Sequence, residues 1–153
     1  LVCLAISNGT NEAFQIDKLL SNQNTFIMKK IIFTEKAPAP IGPYNQAVLS
    51  GNTLYASGQI AINPESGELI TDNINDETNQ VMKNIAAILE AADMTFENVV
   101  KSTIFIMDMN NFGAINTVYG SYFNEKTAPA RETVQVACLP KNVNVEISII
   151  AVQ

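Results

Sequence analysis

Histidine and tryptophan are absent from this 153-residue chain, and arginine occurs once, at Arg131. The missing histidine removes Ser-His-Asp and Cys-His nucleophile activation, HExxH proteases and histidine-based transition-metal sites. Cysteine is almost missing too: Cys3 and Cys138 sit far apart, match no metal or redox spacing, and read as two free thiols suited to a reducing cytoplasm. Cys138 itself reads as a core residue. No apolar run approaches the ~18 residues that would span a bilayer. Positive charge is scarce, with 9 basic against 15 acidic residues and a formal charge of -6. Phosphate backbones are gripped mainly by Lys and Arg, so this balance counts against nucleic acid as a principal partner. Chemistry must therefore come from carboxylates, hydroxyls, backbone groups, lysines or the single arginine.

What is present is a chain with 47% apolar and 16% charged residues, enough for one domain with a real core. Residues 1–27 stand apart in composition and read as an extension. Within it Phe14, Ile16, Leu19 and Leu20 are spaced for a short amphipathic helix, with a loose, disordered segment or an artefact of gene-start assignment as the alternatives. Met28 followed by Lys29 and Lys30 resembles a natural start, so 28–153 is read as the domain.

Periodicity divides that domain into β-β-β-α-β-α-β-β. Residues 30–34 are a strand, and KAPAPIGPY is an ordered irregular loop set by its prolines and glycine. Strands at 46–50 and 53–59 flank Gly51-Asn52, a hairpin signal, and NPESGEL is a further reversal. From Asn75 to Ala92 the apolar spacing changes to three and four, a helix capped by Asn73 or Asp72. A strand at 99–107, a helix at 110–123 and strands at 131–138 and 144–152 complete the order, an α+β fold with two helices on one face of a mainly β sheet. In the last strand Val145, Ile147, Ile149 and Ala151 should meet the helices. Phasing groups Arg131, Thr133 and Gln135 with Glu146 on the mixed face turned away from them, a surface suited to a partner subunit or an enclosed site.

Five separated blocks carry a resemblance: APAPIGPYNQAV, YASGQI, NPESGEL, VVKSTIFIMDMNNFGAINTVY and APARETVQVACLPKNVNVEI. Together they resemble the RidA (YjgF) family across 31–152. The resemblance implies a chorismate-mutase-like α+β fold assembled as a homotrimeric barrel with three clefts between subunits. It also implies a cytoplasmic 2-iminobutanoate/2-iminopropanoate deaminase, which hydrolyses enamine and imine intermediates shed by pyridoxal-phosphate-dependent dehydratases to 2-oxo acids and ammonia. No cofactor or metal is implied.

By the same resemblance Arg131 holds the substrate carboxylate and Glu146 handles water or a proton, while Tyr44, Ser57, Gly58, Asn116 and Thr133 line the substrate site. Archetypal members place Ser-Cys after the arginine, where this chain has Glu132-Thr133, and the loop before Arg131 is shorter than in some. Arginine's fork matches a planar carboxylate with two parallel hydrogen bonds. Ser57 has no activating base and reads as a contact, not a nucleophile. The competing readings are a non-enzymatic ligand-binding or protein-interaction module, an endoribonuclease or translation inhibitor, and a chorismate mutase. The last would need more cations than one arginine supplies.

Overall fold

The computed structural model describes residues 29–153. The proposed helix at 14–20, Cys3 and the extension's boundary lie outside them. Six strands form one mixed sheet, named in chain order β1 (Lys29–Ile32), β2 (Ala47–Ser50), β3 (Thr53–Gln59), β4 (Val99–Ile106), β5 (Ala130–Gln135) and β6 (Val145–Val152). Their spatial order is β1-β2-β3-β6-β4-β5. Two helices, α1 (Ile74–Ala91) and α2 (Phe112–Gly120), cover one face. Among the described residues no helix is long and apolar enough to cross a membrane.

Local chemistry explains the elements. Ser50 pairs with Thr53, leaving a two-residue turn whose first member, Gly51, has φ 61°. Primed hairpin turns demand such a φ, and glycine adopts it freely. At the start of α1 the Asn73 side chain accepts the Asp76 backbone N–H at 2.9 Å, so Asn73 is the cap. The helix then presents Val81, Ile85, Ile88 and Leu89 to the sheet, each at most 1% exposed. Burying one such side chain is worth about 1.5–3 kcal/mol, and cutting Ile85 to Ala would cost about 2–5 kcal/mol. Beneath them lie Val145, Ile147, Ile149 and Ala151 of β6, the expected helix-facing set.

Several boundaries differ from expectation by a residue or more: β1 ends at Ile32 and not at Thr34, and the second helix and β5 change further. The second helix is shorter than 110–123, because Asp108 caps a separate 3-10 turn at Met109–Asn111. At the other end, bonds from Ser121, Tyr122 and Phe123 to carbonyls three residues back tighten the exit. β5 stops at Gln135, where its partner β4 ends, with one further bond from the Val136 N–H to the Ile106 carbonyl. Cys138 therefore lies beyond the strand and is exposed, not part of the core.

The larger correction concerns the faces of β5. This edge strand runs parallel to β4, with Arg131 opposite Ser102 and Glu132 opposite Thr103. Ser102 is fully buried under α2, its hydroxyl accepting that of Tyr119 at 2.9 Å. Arg131 and Thr133 consequently turn toward the helices, while Glu132 joins Lys101 and Thr103 on the open face. Glu146, opposite Phe105, is on that open face as well. Arg131 and Glu146 thus occupy opposite faces.

Candidate functional site

The family-implied residues gather in two places. One is a cavity of about 400 Å³ bordered by Tyr44, Ser57, Gly58 and Glu146, with Ile41, Ile60 and Ile62 supplying apolar wall. The KAPAP loop that forms its rim is pinned by buried Gln46. Its amide donates to the carbonyls of Thr34, Ala37 and Pro38 at 2.9–3.0 Å, and its oxygen accepts the Thr34 N–H at 2.8 Å. One side chain thereby replaces the ladder bonds that a proline-rich segment cannot make. Tyr44 stands at the mouth, 46% exposed, its hydroxyl accepting the Ile41 N–H at 3.4 Å.

Between Ala56 and Gln59 the pairing of β3 with β6 slips by a bulge, and Ser57 and Gly58 sit in it. The Ser57 hydroxyl donates to the Asn45 carbonyl at 2.7 Å, which leaves it only as an acceptor toward the cavity. Gly58 leaves room for the Glu146 side chain in its present position: a Cβ there would push the carboxylate aside. That carboxyl is half-buried against apolar wall, and desolvation pushes its pKa above the usual carboxylate range.

The second place surrounds Arg131, beside a cavity of about 510 Å³ lined also by Tyr119, Phe123, Glu125 and Pro129. The guanidinium donates from Nη1 to Asn116 Oδ1 at 2.7 Å. It lies over the rings of Tyr119 and Phe112, 5.1 and 5.8 Å from their centroids. Each such contact at an exposed site is worth about 0.5–1 kcal/mol. Among the described residues the ion pairs are Lys36–Glu90 and Lys101–Glu132, so Arg131 has no carboxylate partner there. Thr133, two residues on and on the same face, keeps a buried hydroxyl without a hydrogen-bond partner.

These two places are not one site within a single chain. Strand spacing alone separates Arg131 from Glu146 by roughly 14 Å, three residues along and two strands across, before the opposite orientation is counted. Tyr44, Ser57, Gly58 and Glu146 come together; Arg131, Asn116 and Thr133 form the other group. The rings under Arg131 were hidden in the sequence as part of an apolar helix stripe. Their signal is positional: Phe112, Asn116 and Tyr119 are spaced i, i+4, i+7, one helical face. Among the described residues no cluster of three or more Cys, Asp or Glu could hold a metal ion.

Comparison with known proteins agrees with this architecture. A RutC family protein of Pyrococcus horikoshii is 52% identical over 124 residues, covering 81% of this chain and 98% of its own. The 2-iminobutanoate/2-iminopropanoate deaminase of Mus musculus is 49% identical over 127 residues, covering 83% and 93%. Among solved structures, the Rid-family protein YyfA from Yersinia pestis aligns with a TM-score of 0.80 at 48% identity, covering 82% of this chain and 100% of that one. TdcF of E. coli, solved with bound serine, aligns with a TM-score of 0.77 at 44% identity, covering 81% and 98%. Residues 34–153 match the family described as Endoribonuclease L-PSP, and the chain belongs to that family, also known as YjgF/RidA.

Proposed function

We propose that this protein is an imine deaminase that hydrolyses small 2-imino acids, in the manner of 2-iminobutanoate and 2-iminopropanoate, to 2-oxo acids and ammonia. The observation that carries the reading is Arg131. Its guanidinium is held by Asn116 over the rings of Tyr119 and Phe112 and forms no ion pair with a carboxylate among the described residues. A charge fixed in this way is ready for an external carboxylate, which every 2-imino acid carries. The deaminase name of the mouse relative and the serine bound to TdcF support a ligand of this size and kind.

The cleft is completed by a second copy, with Arg131, Asn116 and Thr133 of one chain facing Tyr44, Ser57, Gly58 and Glu146 of another in a homotrimer. A small imino acid does not span the ~14 Å between Arg131 and Glu146 of one chain. The open sheet face, where Tyr55 is 51% and Val134 42% exposed, supports burial against further copies. Arg131 orients the acid so that C2 of the protonated imine faces Glu146. Water attacks C2, Glu146 takes its proton, and the C–N double bond becomes single. The proton then passes to the amine nitrogen, the C–N bond breaks, and ammonia leaves as the hydroxyl gives its proton back to Glu146 and becomes the 2-oxo group. A carboxyl raised by desolvation is a better proton acceptor near neutrality than an ordinary one. The imino acid itself is the product of a pyridoxal-phosphate-dependent dehydratase.

The test adds this protein to such a dehydratase and follows 2-oxo acid and ammonia. Faster release in proportion to added protein is the expected result. An unchanged rate across a concentration series contradicts the proposal and favours a ligand-binding module. Cleavage of single-stranded RNA by the same preparation would favour the activity in the family's description, against which the acidic charge and absent histidine weigh.

A further inference from the structure

A buried acid on α1 is left unexplained by this reading. Glu77 is fully buried in the first turn of the helix. Its Oε1 accepts the backbone N–H groups of Asn144 and Val145 at 2.6 and 3.3 Å, and its Oε2 accepts the Asn144 side-chain amide at 2.8 Å. All three donors come from the two residues that immediately precede Glu146. The chain enters there through Lys141 and Asn142, two consecutive non-glycine residues at φ 56° and 57°, an unfavourable left-handed pair. Residues in such a conformation persist only where the surrounding structure holds them in place. On the other side the Met107 N–H donates to the Asn144 carbonyl at 3.0 Å, so the residue before β6 is gripped by its neighbouring strand and by the helix.

We infer that Glu77 is a positioning residue for the reaction, fixing the start of β6 so that the Glu146 carboxylate stays over Gly58 and toward the cleft. This rests on the proposal that Glu146 handles the proton. A carboxylate that has to lie within a fraction of an ångström of an attacking water needs a rigid support beneath it. The neighbouring wall is held similarly: buried Asn84, seven residues further along α1, donates to the Ile60 and Ile62 carbonyls at 3.0 Å each. Helix α1 thereby carries, among its apolar residues, the polar groups that frame the cavity.

The experiment compares Glu77→Gln, Glu77→Leu and Asn144→Ala, each alone and combined with Glu146→Gln, in the dehydratase-coupled assay with rates corrected for folded fraction. Glutamine keeps an oxygen for both backbone donors, and the Asn144 amide can flip to meet its new N–H. It should therefore retain kcat within about twofold. Leucine should lower kcat roughly tenfold or more with KM little changed, because substrate is still held by Arg131. Asn144→Ala removes only the side-chain bond; it should cost roughly threefold in kcat and serves where the leucine protein does not fold.

In the Glu146→Gln background neither change should lower the rate further, since the group being positioned is gone. A purely structural Glu77 would cost the same factor in both backgrounds, and that result overturns the inference while leaving Glu146 in place. Wild-type kcat in the Leu or Ala protein overturns it also. Full turnover by Glu146→Gln alone removes the proton-handling reading itself, a separate failure visible before Glu77 is touched.

Discussion

Arg131 and Glu146 are the two charged groups to which the proposed reaction assigns chemistry, and their surroundings are opposite in kind. Arg131 sits at the start of an edge strand, exposed, its charge spread over aromatic rings and tied by one neutral amide. Glu146 sits in a central strand, half-buried over a glycine, its charge disfavoured by the apolar wall. One environment leaves a permanent charge free to bind; the other raises the readiness of a carboxylate to take a proton. The proposed hydrolysis needs both, and a single chain holds them on opposite faces of its sheet.

That contrast can be broken from either side. The largest effect is expected for Glu146→Gln, with kcat lowered roughly 100-fold and KM nearly unchanged, because a proton-transfer group is removed while the carboxylate anchor stays. Arg131→Lys should lower kcat/KM by roughly 30-fold, chiefly through KM, since an ammonium cannot reproduce the fork or its planar contact surface. Comparable losses in kcat alone would instead make Arg131 part of the proton chemistry. Gly58→Ala should lower kcat roughly tenfold by displacing the Glu146 carboxylate. Asn116→Ala, which frees the guanidinium without removing it, should raise KM by roughly threefold.

The smallest effect is on stability. Burial raises the pKa of Glu146 above its unfolded value, so the folded state binds the proton more tightly and loses stability as pH rises between the two values. Glu146→Gln should therefore raise Tm by roughly 1–3 °C at pH 7. The gain should vanish in thermal melts run below the unfolded value, where both forms are neutral. A lower Tm at pH 7 would mean that the carboxylate is a structural asset and not a strained functional group.

Much of this was legible in the chain itself. The apolar spacing of α1, its Asn73 cap and the Gly51-Asn52 turn are local signals, and they landed where the sequence placed them. The blocks around Tyr44, Ser57, Gly58 and Glu146 also pointed to groups that meet in space. What failed was non-local. β5 alternates weakly, and its facing is set by a parallel register with β4 and by the aromatic side chains of α2. Nothing within residues 131–138 encodes that register, so Arg131 was placed on the wrong face and Cys138 in the core. Glu77 was invisible for a related reason. In the sequence it is one more acid in a helix's first turn, and its partners lie 67 and 68 residues away.

The claim that one cleft takes Arg131 and Glu146 from different copies has a direct test. Arg131→Lys and Glu146→Gln proteins are unfolded together in equal amounts, refolded and assayed at substrate well below KM, where each alone is nearly inactive. Random assembly of trimers gives about a quarter of the clefts both natural residues, so about a quarter of wild-type activity should return. Activity no higher than the mean of the two variants would place Arg131 and Glu146 in one chain's site and contradict the shared cleft.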